Sequence, residues 1–192
     1  PPKVIAFTGI DALTHAIESY IGHSPTKKCL NYALIACKLI KENLYKFYKN
    51  PLDQKARSSM QKAAYLAGVS FTRCYVGYCH SLAHAIGGLS NSAHGLTNAI
   101  LLPYVLEVYG KYAYRRLAEI SDYIQLVPTE LSMQEKAYAV LNWIKELNAK
   151  MGIPDKFENE YKDSDIPMLG KKASKEGNPL YPVPKEFRLE DF

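Results

Sequence analysis

Apolar residues recur along most of the chain at steps of three and four, the spacing that gathers them on one face of an α-helix. Leu30, Ala33, Leu34, Cys37, Ile40, Leu44 and Phe47 form one such stripe, on a long helix closed by Asn50-Pro51. A second stripe runs through Ala56, Met60, Ala63, Ala67 and Ser70, and a third through Ala137, Val140, Leu141, Ile144, Leu147 and Met151. Ahead of the third, Ser132-x-x-Glu135 has the pattern of a capping box, and Gly152 followed by Pro154 marks the end. Leu117, Ile120 and Ile124 predict another helix between Gly110 and Pro128. The first helix is predicted to begin near Thr8-Gly9-Ile10-Asp11 and to run through Leu13, Ile17 and Tyr20 to Gly22. No stretch alternates apolar and polar residues across an Asn-Gly or Asp-Gly turn, and no repeat occurs at solenoid spacing. The fold class is therefore all-α: one multi-helix, bundle-like domain over residues 1–192, with a helical core at 1–153. Beyond Pro154 the pattern breaks into Pro, Gly, Lys and Asp, so 154–192 reads as a segment with at most one or two short helices, packed over the core or mobile.

Composition narrows the class. At 192 residues and 47% hydrophobic, the chain can bury one sizeable core and is not disordered. Its net charge of +5 is spread along the whole chain, which gives no reason to expect nucleic acid or an anionic membrane as partner. The apolar run Ala99-Ile100-Leu101-Leu102 meets Pro103, far short of the about 20 residues that span a bilayer. Cys29, Cys37, Cys74 and Cys79 contain no Cys-x-x-Cys pair, and no signal peptide precedes them, so reduced thiols in a cytoplasmic protein are expected. The chain opens on Pro1-Pro2-Lys3 without an initiating Met and enters its first motif at once, which suggests a fragment of something longer.

The candidate chemistry lies in two short clusters. Asp11 and His15 are four residues apart on a predicted helix, so their side chains project from the same face. His80 and His84 repeat that spacing, and His94-Gly95 follows a Gly87-Gly88 break that could fold the chain back. Imidazoles with a carboxylate suit Fe(II) or Zn(II) better than Ca or Mg, which take oxygen shells. Against this, Asp11 could end a capping box begun by Thr8, and histidines four apart are common in packing. His23, beside Gly22 and ahead of Ser24-Pro25, reads as a solvent-facing loop residue.

The segment from Pro1 to Glu18, with Thr8-Gly9-Ile10-Asp11-Ala12-Leu13-Thr14-His15, resembles the first signature of the iron-containing, or group III, alcohol dehydrogenases. Gly77 to Asn98, with Cys79-His80-x-Leu82-Ala83-His84 and His94-Gly95-Leu96-x-Asn98, resembles the second, and Asn178-Pro179 fits a common family ending. The resemblance implies a dehydroquinate-synthase-like C-terminal helical domain in which Asp11, His15, His80 and His94 hold a divalent Fe or Zn ion. It places His84 near the nicotinamide, as a proton-relay or cofactor-side residue. The implied reaction is hydride transfer between an alcohol or aldehyde and NAD(P), with the metal polarising the oxygen, and the family's habit allows a homodimer.

Two departures from the pattern stand out. Ser92-Ala93 replaces a branched apolar residue and a proline before the last ligand, and the family's N-terminal α/β domain with its Gly-rich turn has no counterpart here. The chain alone is thus expected to bind metal, to have little affinity for NAD(P) and to be inactive. Competing readings are a zinc-dependent glycerol dehydrogenase or dehydroquinate-synthase-like enzyme, a helical metal-dependent phosphohydrolase, and a non-catalytic helical module. The phosphohydrolase reading lacks the adjacent His-Asp dipeptide it needs. Phe71, Tyr75 and Tyr78 are as well explained as core as by a substrate pocket.

Overall fold

The computed structural model describes every residue except Ser24 and Asn159. Among the described residues there are α-helices and two short 3-10 turns, with no strand. The helices are α1 (Pro2–Ile21), α2 (Lys27–Lys49), α3 (Gln54–Cys74), α4 (Tyr78–Ser90), α5 (His94–Tyr109), α6 (Lys111–Tyr123), α7 (Met133–Lys150) and α8 (Ile166–Gly177). The stripes assigned to α2, α3, α6 and α7 face inward as expected, and the Ser132–Glu135 capping box closes the start of α7.

Helix α1 is the axis of the fold. It is apolar nearly all round, the pattern of a helix buried on every side, and α2, α3 and α5 pack against it. It starts six residues earlier than predicted, at Pro2 rather than Thr8. Proline suits the first turn, where its missing N–H costs nothing, and the Pro1 carbonyl accepts the Val4 and Ile5 amides. Thr8 is consequently mid-helix, where its hydroxyl donates back to the Val4 carbonyl at 2.8 Å; the capping-box reading of Asp11 is thereby overturned.

The turn after the second histidine pair also lies elsewhere than predicted. Helix α4 continues through Gly87-Gly88 to Ser90, and the chain reverses at Asn91, which takes the left-handed conformation at φ 57°. Asn tolerates that conformation better than most residues.

Helix α5 escaped periodicity because it too is apolar all round, and because Pro103 sits inside it. Proline has no N–H for the Ala99 carbonyl one turn back. Asn148 of α7 fills the gap, its Nδ2 donating to Ala99 O at 2.7 Å in the buried core.

The C-terminal segment is packed, not loose, and α8 lies along α4. The fully buried Tyr78 ring meets Phe187 and Phe192 at centroid distances of 4.6 and 4.8 Å, while its hydroxyl donates to Asn178 Oδ1. All four cysteines are free and buried. Among the described residues no helix is long and apolar enough to cross a membrane.

Candidate metal centre

Asp11 and His15 lie one turn apart on α1, with His15 Nδ1 4.0 Å from Asp11 Oδ2. Helix α4 brings His80 alongside, its Nε2 3.7 Å from Asp11 Oδ1. One donor atom from each of Asp11, His15 and His80 falls within 4.8 Å of the others. His94, the first residue of α5, completes the group from the solvent side: its Nε2 is 3.4 Å from Asp11 Oδ1 and its side chain is 42% exposed. Close contact between α5 and α1 makes this possible. A Cβ on Gly95 would stand 2.4 Å from the Phe7 carbonyl oxygen, so the residue after His94 has no room for a side chain. Ser92-Ala93, the departure noted in the sequence, leads into this helix with Ala93 as its cap residue.

Two of the imidazoles, His15 and His94, are held toward the neutral form a metal needs. His15 is sandwiched between Phe71 (centroids 4.2 Å apart) and His80 (4.4 Å), and burial first, then the neighbouring His80, lower its pKa to about 4. Burial likewise lowers His94, with His80 and His84 adding to it against the opposing pull of Asp11. His80 goes the other way. Burial disfavours its charged form, but the hydrogen bond and charge of Glu18 outweigh that and raise it.

Glu18 is the residue whose role sequence reasoning missed. Its side chain is 1% exposed, and Oε2 lies 2.6 Å from His80 Nδ1. The same carboxylate accepts the Gly77 amide (2.8 Å, Oε2) and the Cys79 amide (2.8 Å, Oε1) at the start of α4. Those orphan amides and the positive helix end favour an anion there. Gly77 leaves the space, since a Cβ would lie 2.7 Å from Glu18 Oε1. A signal was present: Glu18 follows His15 by three and Asp11 by seven, the same helix face.

With Nδ1 engaged, His80 presents Nε2, a buried nitrogen that has no hydrogen-bond partner among the described residues. A lone pair so placed, close to a carboxylate oxygen and two further imidazoles, fits a divalent ion of the Fe or Zn kind. Glu18 thus adds a second carboxylate behind the candidate ligands, beside the one that Asp11 presents among them. Asn98, quoted in the second signature without a role, bridges the open side: its Nδ2 donates to Asp11 Oδ1 at 2.8 Å and lies 3.0 Å from His94 Nε2.

His84 stands beside this group. Its ring stacks on His94 with centroids 5.1 Å apart and lies edge-on to His80 at 6.1 Å, and it is about half exposed. Of Phe71, Tyr75 and Tyr78, Phe71 stacks on a candidate ligand, Tyr78 is core, and Tyr75 is exposed at positive φ. His23 is exposed, with Nε2 3.1 Å from the Pro184 carbonyl oxygen; Ser24 of the same predicted loop lies outside the described residues.

Known proteins carry the same chain architecture. The family model of the Fe-containing alcohol dehydrogenases, C-terminal part, matches residues 5–192. The chain is 43% identical over 156 residues to the NADPH-dependent butanol dehydrogenase of Clostridium saccharobutylicum, a match covering 80% of this chain and 39% of that protein. It is 35% identical over 179 residues to the 1,3-propanediol dehydrogenase of Citrobacter freundii, covering 93% and 46%. The crystal structure of a 1,3-propanediol oxidoreductase superposes on all of this chain and half of that one, with a TM-score of 0.94 and 32% identity. An alcohol dehydrogenase from Oenococcus oeni does so with a TM-score of 0.94 and 30% identity, again over half its length. The chain spans half or less of the length of these relatives. A family match over nearly every residue, with this helical fold, makes the chain a member of the Fe-containing alcohol dehydrogenase family, corresponding to its C-terminal region.

Proposed function

We propose that residues 1–192 form the metal-holding part of an NAD(P)-dependent alcohol dehydrogenase, with Asp11, His15, His80 and His94 as ligands of one divalent Fe or Zn ion. The observation that carries the reading is His80 Nε2, buried without a hydrogen-bond partner among the described residues while Glu18 engages the opposite nitrogen. A carboxylate behind a histidine fixes its tautomer and raises its basicity as a ligand. A divalent ion held there supplies Lewis acidity to the oxygen of a small alcohol or aldehyde.

The chain's own residues do the rest. Phe71 covers one face of His15 and keeps water from it. Asn98 holds Asp11 and His94 in register. His84, half exposed and stacked on His94 beside the ligands, would exchange a proton with the alcohol oxygen. The nicotinamide itself is expected to be bound mainly by sequence outside these residues, since no Gly-x-Gly-x-x-Gly turn occurs in them.

The test uses the full enzyme that carries this chain. Chelation should abolish NAD(P)-linked oxidation of a primary alcohol, and Fe(II) or Zn(II) should restore it. Full turnover by an enzyme stripped of metal would contradict the proposal. His84→Gln should lower kcat by roughly 10²-fold or more, the usual weight of a proton-transfer group, with metal content unchanged.

A further inference from the structure

The open side of the centre is bordered by a hydrogen-bonded group that the ligand set does not use. His84 Nδ1 lies 2.7 Å from Glu176 Oε1, and the Tyr181 hydroxyl donates to the same oxygen at 2.7 Å. His84 belongs to α4, Glu176 to α8, and Tyr181 follows α8, so the C-terminal segment reaches the centre through this contact. On its other side the His84 ring lies against His94, the planes 19° apart.

A carboxylate offers only acceptors, so the proton in the His84–Glu176 contact sits on Nδ1. The neutral ring is then left with its lone pair on Nε2. An unrestrained imidazole populates both tautomers, and a half-exposed histidine with no partner would do the same. Tyr181 steadies the carboxylate: burial, followed by its bond to Glu176, raises the phenol well above its ordinary value and keeps it a donor.

We propose that Glu176, steadied by Tyr181, is a positioning residue that holds His84 in the Nδ1–H tautomer and so presents Nε2 as the proton acceptor beside the metal ligands. The inference rests on the proton-exchange reading of His84. With NAD(P) bound to accept the hydride, Nε2 would take the hydroxyl proton in alcohol oxidation, and Glu176 would stabilise the resulting imidazolium. In carbonyl reduction the same proton returns to oxygen.

The test is the tautomer itself, read by long-range proton–nitrogen correlation in the chain labelled with 15N-histidine, at a pH well above the ordinary imidazole range. The His84 signals are identified by their loss in His84→Gln. The expected result is a pyrrole-type Nδ1 and a pyridine-type Nε2 for His84, replaced in Glu176→Ala by averaged shifts of a tautomer mixture, with the backbone amide spectrum otherwise preserved. An Nε2–H form in the unaltered chain, or an Nδ1–H form that survives Glu176→Ala, would overturn the proposal. In the full enzyme Glu176→Ala should lower kcat about tenfold to a hundredfold with the alcohol KM little changed; an unchanged kcat would also overturn it. The readings fail separately: His84→Gln with full turnover removes the proton-exchange role, whereas the tautomer readout depends on no turnover at all.

Discussion

Glu18 ties together three events on separate parts of the chain: it ends the first signature on α1, closes the start of α4 through two amides, and sets the nitrogen that His80 offers. Replacing it with Gln keeps the shape but removes the charge that holds the His80 proton. We expect Glu18→Gln to weaken Zn(II) affinity by about 10- to 100-fold, read by competition against a chelating dye; affinity within a factor of two of the parent would mean that Glu18 only caps α4. His15 gives a pH signature. Its folded value of about 4 lies below the ordinary imidazole value near 6.5, so the unfolded chain takes up a proton in that interval that the fold refuses. The His15 contribution to the stability of the metal-free chain therefore falls as pH drops from about 6.5 toward about 4, and adds no slope above that window. In His15→Gln the urea midpoint should change less between about pH 6.5 and about pH 5 than in the parent; equal slopes would show that burial does not hold His15 neutral.

At the scale of elements, two contacts decide whether the helices meet as they do. Asn148 on α7 supplies the donor that Pro103 withholds from the Ala99 carbonyl on α5. Asn148→Ala leaves that buried acceptor without its partner and should cost about 1–3 kcal/mol in urea unfolding; a loss of a few tenths would show that water or a shifted helix replaces the amide. Gly95→Ala forces a Cβ onto the Phe7 carbonyl at 2.4 Å, pushing α5 and His94 away from α1, and should lower metal affinity as well as stability. These contacts also explain what the sequence made legible. Helices with one apolar stripe, α2, α3, α6 and α7, were readable because half their surface faces water. Buried α5 has no polar face to set a period, and its proline looked like a stop. Four-residue spacing on α1 and α4 marked Asp11, His15, His80 and His84 as a cluster, and the resemblance of the two signatures singled out Asp11, His15, His80 and His94 as the proposed ligands. Glu18 carried a signal at seven residues from Asp11. Glu176 and Tyr181 carried none, because packing of α8 on α4, which no local pattern announces, brings them to His84.

In the whole molecule α2, α3 and α5 pack on α1, α7 on α6 and α8 on α4, with the candidate centre where residues of α1, α4 and α5 meet. Such a centre links folding to metal, because the ligands come from three elements that the unfolded chain does not hold together. Free Zn(II) at a hundred times its Kd should stabilise the fold by about 2.7 kcal/mol, a rise in Tm of roughly 5–10 °C for a chain of this size, and the rise should vanish in His94→Ala. The central claim, that Asp11, His15, His80 and His94 hold one divalent ion, is tested most directly by counting metal. Elemental analysis of the purified chain after anaerobic reconstitution with Fe(II) or Zn(II) should find about one ion per chain, and His80→Ala, folded by circular dichroism, should retain almost none. Unaltered stoichiometry in that variant, or no metal in the parent chain under any loading, would contradict the account.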